Sequence, residues 1–350
     1  MRILVVTDAW RPQVNGVVHS LEAMSKAARA LGADIDFLTP EGFRTIGLPT
    51  YSEIRLALAP PWVVARRIDE AHADHVHIAT EGPLGLAARR ICIARRQPFT
   101  TSYHTRFPEY LFARTRFPLS WSYAALRAFH NAGAGMMAST PRLADELFAR
   151  GFHKPLIWSR GVDADLFRPR ESALDLPRPI FLYAGRLAVE KNLEAFLALD
   201  LPGSKVVVGD GPARRGLEAT FPDAHFLGLR IGEALAEVYA SADVFVFPSL
   251  TDTFGIVLLE AMASGVPVAA FPVPGPIDVV APEAGVLSDD LRAACLAALD
   301  IPRASARAYA LKFTWEASAR QFLDNVRVAR EQDRSAKQRD LFDKRHCVEA

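Results

Sequence analysis

Short apolar runs and amphipathic stretches alternate along this chain with few interruptions. Ile3–Thr7, Ile35–Leu38, His75–Ile78, Phe99–Ser102 and Met136–Ala138 read as buried strands. Between them, Val17–Leu31, closed by Gly32, and Leu84–Arg95 carry apolar residues at helical spacing. Near-continuous apolar strands alternating with helices imply a parallel sheet covered on both faces. The pattern then begins again. Ile180–Ala184, Lys205–Val208, Val244–Phe247 and Val266–Ala270 read as strands, with helices near Asn192–Leu199, Ala234–Ala240 and Ile256–Ser264. Phe167–Pro179 separates the two series, and its three prolines and five charges in thirteen residues are the composition of a linker. The expected architecture is α/β: two doubly wound domains, 1–168 and 169–314, facing a cleft that holds the ligand. Residues 315–350 supply a terminal helix, about Trp315–Glu331, that fits either domain and can cross back to the first. A charged tail, Gln332–Lys344, is expected to be solvated or frayed.

Composition narrows the setting. A length of 350 residues suits about two domains, each with its own core. Half the residues are hydrophobic, yet no apolar run reaches the ~20 residues of a membrane span. The opening Met1–Asp8 reads as a strand running into a loop, without the features of a signal peptide. Cys92, Cys295 and Cys347 are scattered and odd in number, which points to a reducing, cytoplasmic compartment and no metal cluster. Net charge is +1, but unevenly spread: residues 1–168 carry 21 Lys/Arg against 15 Asp/Glu (+6), and 169–350 carry 20 against 25 (−5). A basic first half suits an acidic surface.

The chemistry concentrates in Thr251–Glu260. Asp252 precedes a turn at Gly255, and Glu260 lies in a helix among Leu258, Leu259, Ala261 and Met262. A carboxylate buried there costs several kcal/mol without a partner. The helix start offers free N–H groups to an anion. An ordinary N-cap followed by a solvated Glu is the simpler alternative. Arg186 and Lys191 follow strand Ile180–Ala184 at its carboxyl end, where Arg can grip a phosphate bidentately and Lys can add a compact charge. A local bridge from Lys191 to Glu190 or Glu194 would be the plain reading. Gly209-Asp210-Gly211-Pro212 permits a tight turn but is weak as a dinucleotide fingerprint, because the third glycine is missing. In the first half, the long loop Asp8–Val17 ends at Gly16, which opens a helix whose amides can approach a phosphate or sugar. His104-Thr105 follows strand Phe99–Ser102, so His104 suits a hydrogen bond in the cleft or a cap on the next helix.

Together these motifs resemble the family-4 retaining glycosyltransferases, which have the two-domain, Rossmann-like GT-B fold. The likeness runs through Asn15-Gly16, His104-Thr105, Arg160-Gly161-Val162-Asp163, Gly185-Arg186 to Lys191, Gly209–Pro212, and Pro248 to Pro267. Two departures stand out: Asp252 occupies the place of the family's usual Glu, and Asn15 that of a glycine. The resemblance implies that Arg186 and Lys191 bind the diphosphate of a UDP-sugar or GDP-mannose. It places ribose hydroxyls on Glu260, the sugar on Asp252, Thr253 and the amides around Phe254, Gly255 and Ile256, and the base near Gly228-Leu229-Arg230. Gly211 would line the donor site, Gly16 would contact the donor near its phosphates, and His104 would approach the sugar from the first domain. Fixed cations and helix amides would stabilise the departing diphosphate as an oxyanion site does. No metal or cofactor is then needed, and Asp163-Ala164-Asp165, beside the linker, reads as structural.

The acceptor is less marked. Phe107, Tyr110, Leu111, Phe112, Phe117, Trp121 and Tyr123 are interleaved with Arg106, Arg114, Arg116 and Arg127, and Pro60–Arg67 repeats the theme. Apolar-aromatic faces edged by Arg suit an anionic membrane surface; amphipathic helices packed on a core are the alternative. Ser249–Thr253 and Leu48–Arg55 resemble the branch of bacterial transferases that glycosylate diacylglycerol-type lipids with glucosyl, glucuronosyl or sulfoquinovosyl groups, whose relatives use GDP-mannose. The expectation is a hexose or uronic acid carried to a lipid at the inner membrane face, with no nucleic-acid partner. The alternatives are a GDP-mannose-dependent α-mannosyltransferase and a non-catalytic sugar-nucleotide-binding module. The missing glycine fingerprint after the first strand counts against an NAD-dependent oxidoreductase, and a phosphorylase of the same fold would need a Lys carrying pyridoxal phosphate.

Overall fold

The computed structural model describes residues 1–11, 15–48 and 51–346. Pro12–Val14 of the first loop, Pro49-Thr50 of the lipid-branch likeness, the Arg114 side chain and Cys347 therefore lie outside the described residues. The chain divides into two compact units, Met1–Ser159 with Glu316–Ala350, and Arg160–Trp315. The division thus falls ahead of the expected boundary at 168. Residues 160–168 are bound into the second unit: the Val162 amide donates to Phe313 O at 3.0 Å, and the Arg307 guanidinium donates to Phe167 O at 3.1 Å.

The first unit runs β1 (Arg2–Val6), α1 (Gly16–Ala30), β2 (Asp34–Leu38), β3 (Thr45–Leu48), β4 (Tyr51–Ala57), α2 (Pro61–Glu70), β5 (His75–Ile78) and α3 (Pro83–Ala94). It continues with β6 (Phe99–Tyr103), α4 (Phe107–Thr115), α5 (Leu119–His130), β7 (Gly135–Ala138), α6 (Pro141–Ala149) and β8 (Leu156–Ile157). Six of its strands form a parallel sheet in the order β2-β1-β5-β6-β7-β8, and β3-β4 is a separate antiparallel ribbon.

The second unit runs β9 (Ile180–Ala184), a 3-10 turn at Val189–Lys191, α7 (Leu193–Leu197), β10 (Ser204–Val208), α8 (Arg214–Thr220), β11 (His225–Gly228) and α9 (Gly232–Ser241). Then come β12 (Val244–Phe247), α10 (Ile256–Ala263), β13 (Val268–Ala270), α11 (Pro276–Val279), β14 (Gly285–Leu287), α12 (Leu291–Ala298) and α13 (Arg303–Ala310). Its parallel sheet has the order β11-β10-β9-β12-β13-β14, that of a dinucleotide-binding Rossmann sheet. β9 and β12 are buried at every position, as strands covered on both faces must be. β13 starts two residues later than its apolar run suggests. The Val266 N–H is spent closing α10 onto Ala261 O at 2.9 Å, the outer bond of a Schellman cap.

Helix α14 (Trp315–His346) extends through the tail that the sequence suggests is frayed. Its Ala319, Phe322, Leu323 and Val326 are buried with Ile3, Val5, Leu21, Met24 and Trp158 in the core of the first unit. Trp158 Nε1 donates to Ser318 Oγ at 3.1 Å, and Asn325 Nδ2 to Ile157 O at 2.8 Å.

Candidate functional site

In a doubly wound sheet the strand order reverses at one point, and the loops leaving the two strands there diverge to open a crevice beyond their carboxyl ends. In the second unit that point lies between β9 and β12. The loop after β9 carries Arg186 and Lys191; the loop after β12 carries Asp252 to Gly255 and runs into α10. The two loops meet across the crevice. Lys191 Nζ lies 2.8 Å from both Asp252 oxygens, and each side chain is 17% exposed. Beside this pair, Asn192 adopts a left-handed conformation (φ 53°) and donates from Nδ2 to Pro248 O at 3.1 Å. Arg186 is half-buried, and its carbonyl accepts from the Tyr183 hydroxyl at 2.9 Å, which fixes the main chain of the loop.

The glycines of Gly209–Pro212 serve a purpose other than a nucleotide fingerprint. The backbones of three loops are strapped together: Gly185 N donates to Val208 O, Leu187 N to Asp210 O, and Gly209 N to Gly228 O, at 2.9–3.0 Å. Gly209 has φ +134°, and a Cβ there would lie 1.9 Å from Gly185 O. Gly211 stands in the same strap, against Leu187 O. Past β11, Leu229 and Ile231 are 52% and 60% exposed, an open apolar shelf at the end of the strapped loops.

On the other side of the crevice, the Phe254 ring is buried in the core and anchors its loop. Thr253 is half-buried, Gly255 takes the cap position of α10 at φ +84°, and Ile256 opens the helix. One turn on, Glu260 is 8% exposed, and the Tyr239 hydroxyl donates to its Oε2 at 3.0 Å. Burial pushes the Glu260 carboxyl up to about 7, against the opposing pull of the Tyr239 bond. The partner that a carboxylate in this apolar helix requires is therefore a tyrosine from α9.

The two candidates from the first half, Gly16 and His104, lie in the first unit. Asn15 caps α1, its Oδ1 accepting from Val17 N and Val18 N at 3.0 Å, so two of the helix's first amides are already bonded. His104 follows β6, is half-buried, and meets the Trp158 ring edge-on at 5.6 Å. The cap position of α4 is Arg106, so His104 does not cap it.

Sequence reasoning missed Asp8. The order of the first sheet reverses between β1 and β5, and there Asp8, only 4% exposed, bridges the end of β1 to the start of α3. It accepts from Leu84 N at 2.9 Å, Gly85 N at 3.2 Å and Thr80 Oγ1 at 3.1 Å. Burial raises its pKa while these bonds lower it, and burial prevails. Gly82 makes the approach possible, since a Cβ there would sit 2.4 Å from Asp8 Cγ, and Gly85 lets the helix start close against Thr80 O, 1.9 Å from where its Cβ would lie. The only signal in the sequence is an acid placed just after the first strand.

Not all of the aromatic–arginine stretch faces outward. Arg106 is buried and grips Glu146 with Nη1 and Nη2 at 3.1 and 2.7 Å, and Tyr123 is buried with its hydroxyl on Glu109 Oε1 at 2.6 Å. Arg127 donates to Arg150 O at 3.0 Å. Phe107, Phe112, Phe117 and Trp121 remain exposed, with the Arg116 guanidinium 5.4 Å from the Phe112 ring, and on α2 Trp62 is 74% exposed. Asp163 of the Asp-Ala-Asp segment forms a turn, its Oδ1 accepting from Asp165 N and Leu166 N at 3.2 and 3.0 Å, as a structural role requires. Among the described residues, no helix is long and apolar enough to cross a membrane.

Comparison with known proteins matches these two units to two family models: "Glycosyltransferase Family 4" over residues 14–166 and "Glycosyl transferases group 1" over residues 178–302. The chain is 31% identical over 314 residues to a GDP-mannose-dependent alpha-mannosyltransferase of Mycobacterium tuberculosis, covering 81% of this chain and 82% of that protein. It is 31% identical over 301 residues to the sulfoquinovosyl transferase of Arabidopsis thaliana, covering 76% of this chain but only 58% of the longer relative. An alpha-monoglucosyldiacylglycerol synthase of Streptococcus pneumoniae is 26% identical over 77% of this chain and 71% of its own. Among solved structures, a sucrose-phosphate synthase from Thermosynechococcus elongatus superposes with a TM-score of 0.74 at 23% identity, over 93% of this chain and 98% of that one. The chain belongs to the family-4, group 1 glycosyltransferases: it is a hexosyltransferase of the GT-B fold that takes its sugar from a nucleotide-sugar donor.

Proposed function

We propose that this enzyme transfers a hexose or uronic acid, with retention and without a metal, from a nucleotide-sugar to a lipid acceptor such as diacylglycerol at the inner membrane face. The observation that carries the donor half is the Lys191–Asp252 contact across the crevice of the second sheet. A Lys has three donors and each carboxylate oxygen a further lone pair. Lys191 can therefore hold Asp252 and still reach a phosphate, while Asp252 keeps acceptor capacity for sugar hydroxyls. Arg186, on the same loop, adds a fork for the diphosphate. Two fixed cations at the leaving group supply the charge stabilisation that a divalent ion would otherwise give. Glu260 takes the ribose hydroxyls, the shelf at Leu229 takes the base, and Gly16 and His104 belong to the donor's phosphate and sugar ends. In the transfer, the acceptor oxygen bonds to the anomeric carbon on the face from which the phosphate leaves, the bond to phosphate breaks, and that phosphate takes the acceptor's proton.

The acceptor half rests on the first unit's exposed Trp62, Trp121 and Phe112–Arg116 surface, its +6 balance, and the diacylglycerol-glycosylating relative. The likeness to GDP-mannose-dependent enzymes over 81% of the chain favours a second reading, α-mannosyl transfer to a glycolipid or saccharide. A donor screen separates the two: UDP and GDP release is measured from UDP-sugars and GDP-mannose, with membrane lipid extract or soluble saccharide as acceptor, before and after EDTA. Full turnover after EDTA with lipid extract is expected. Activity that disappears with EDTA and returns only with Mg²⁺ or Mn²⁺ would overturn the metal-free reading, and transfer to saccharide alone would overturn the lipid acceptor.

A further inference from the structure

Among the buried polar contacts of the second unit, the Tyr239–Glu260 bond joins two side chains that face each other with few other polar neighbours. The Tyr239 ring is fully buried and packs edge-on against Phe167 at 5.6 Å and beside Phe245 at 5.6 Å, which fixes where its hydroxyl points. That hydroxyl donates to Glu260 Oε2, and among the described residues it is the one side-chain donor to this carboxylate, which leaves Oε1 for a ligand. We propose that Tyr239 is a positioning residue for the nucleotide: its O–H holds one oxygen of Glu260 so that the other accepts the ribose hydroxyls. The proposal rests on the reading that Glu260 takes the ribose.

The chemistry follows from the surroundings. A carboxylate accepts from two vicinal hydroxyls far better than a neutral carboxyl does, because charge-assisted bonds are the stronger ones. Burial works against that charged form, and the groups around Glu260 do little to offset it. On α13, Arg303 turns its guanidinium to Ala240 O, Ala242 O and Ser264 O, and Arg307 turns to Phe167 O and Ala263 O. On α9, Glu233 and Glu237 are exposed; β12 and β13 present only apolar side chains; Asp278 is the one charged residue of α11. Tyr183, from β9, lies near enough to act on Tyr239. Tyr239 itself stays protonated, its own pKa being raised by burial and by the neighbouring carboxylate, so it remains a donor at every working pH. The O–H of Tyr239 is thus the feature that favours the binding-competent form of Glu260.

The test uses the full-length protein and whichever of UDP and GDP wild type binds more tightly. Dissociation constants for that nucleotide and its 2′-deoxy counterpart are measured by calorimetry from pH 6 to 9, for wild type, Tyr239→Phe and Glu260→Gln. Tyr239→Phe keeps the ring in its aromatic packing and removes only the oxygen. It is expected to bind about tenfold more weakly at pH 7, with the loss shrinking toward pH 9 as Glu260 ionises unaided. Glu260→Gln is expected to bind weakly throughout and to lose the preference for the ribonucleotide. Wild-type affinity in Tyr239→Phe, or a loss of equal size at every pH, overturns the positioning role. Wild-type affinity in Glu260→Gln overturns the ribose reading instead, whatever Tyr239→Phe does.

Discussion

The crevices of the two sheets show opposite uses of the same topology. In the first unit, Asp8 enters the crevice itself and gathers three donors, Leu84 N, Gly85 N and Thr80 Oγ1. In the second, the crevice is spanned by one ion pair between long-range partners, Lys191 and Asp252, both partly open to solvent. The acids differ in the same way. Asp8 is satisfied by the chain, while Glu260, also buried, has a single side-chain donor among the described residues, Tyr239. A carboxylate whose donors all come from the protein consolidates a fold; one left with spare acceptor capacity is available to a ligand. The contrast supports a structural role for the acid of the first crevice and the proposed donor site for the second.

The largest effects should come from closing the backbone approaches on which each crevice depends. Gly85→Ala places a Cβ 1.9 Å from Thr80 O, and Gly209→Ala places one 1.9 Å from Gly185 O. Each is expected to cost about 4 kcal/mol or more, the range of severe backbone and packing lesions. Limited proteolysis should show Gly85→Ala opening the first unit, while Gly209→Ala abolishes nucleotide binding. Soluble, protease-resistant Gly209→Ala with normal nucleotide affinity would break the comparison. Next in size, Arg186→Ala should lower kcat by about 10²–10³, as loss of an oxyanion-type donor does, with little change in Tm. A folded variant at near-normal rate removes Arg186 from the leaving-group site.

The two acids permit a sharper test, because conservative amides should act in opposite directions. Burial raises the Glu260 pKa to about 7, so the folded state favours the protonated form. That contribution is fully present below about pH 4.5 and is lost as pH rises through about 7. Glu260→Gln should therefore raise unfolding free energy by up to about 3 kcal/mol at pH 8.5 but by less than about 1 kcal/mol at pH 5. The Asp8 pKa is also raised, but Asp8→Asn turns an amide NH₂ toward N–H donors and should cost about 1–3 kcal/mol at neutral pH. Urea titrations of both variants at the two pH values decide; a shared sign would show that the donor count does not govern. The smallest effect concerns the surface. Arg116→Glu should weaken binding to anionic vesicles by roughly 1 kcal/mol, an effect screened over about 8–10 Å at physiological salt. Wild type that ignores such vesicles at low salt ends the membrane reading.

What the sequence made legible was local. Apolar runs at Ile180–Ala184 and Val244–Phe247 became the central strands of the second sheet, and Glu260 among Leu258, Leu259 and Met262 announced that it needed a partner. Which partner was not legible, because Tyr239 lies 21 residues away on another helix. The same holds for Lys191: its neighbours Glu190 and Glu194 are visible in the sequence, whereas the Asp252 contact spans 61 residues and depends on the sheet bringing two loops together. Arg106 and Tyr123 looked like part of a basic aromatic surface because nothing nearby shows that Glu146 and Glu109 will bury them. Asp8 escaped notice for a related reason: its amide donors belong to a helix that begins 75 residues later at Pro83.

Helix α14 has a consequence for how the protein is made. Ile3, Val5, Leu21 and Met24 leave the ribosome about 300 residues ahead of Phe322, Leu323 and Val326, the side chains that cover them. At about 5–20 residues per second, the apolar face of the first sheet waits on the order of tens of seconds for its lid while the entire second unit is translated. The second unit, contiguous from Arg160 to Trp315, can close its own core in that interval. Closing the first core therefore waits on residues that lie beyond the whole of the second unit.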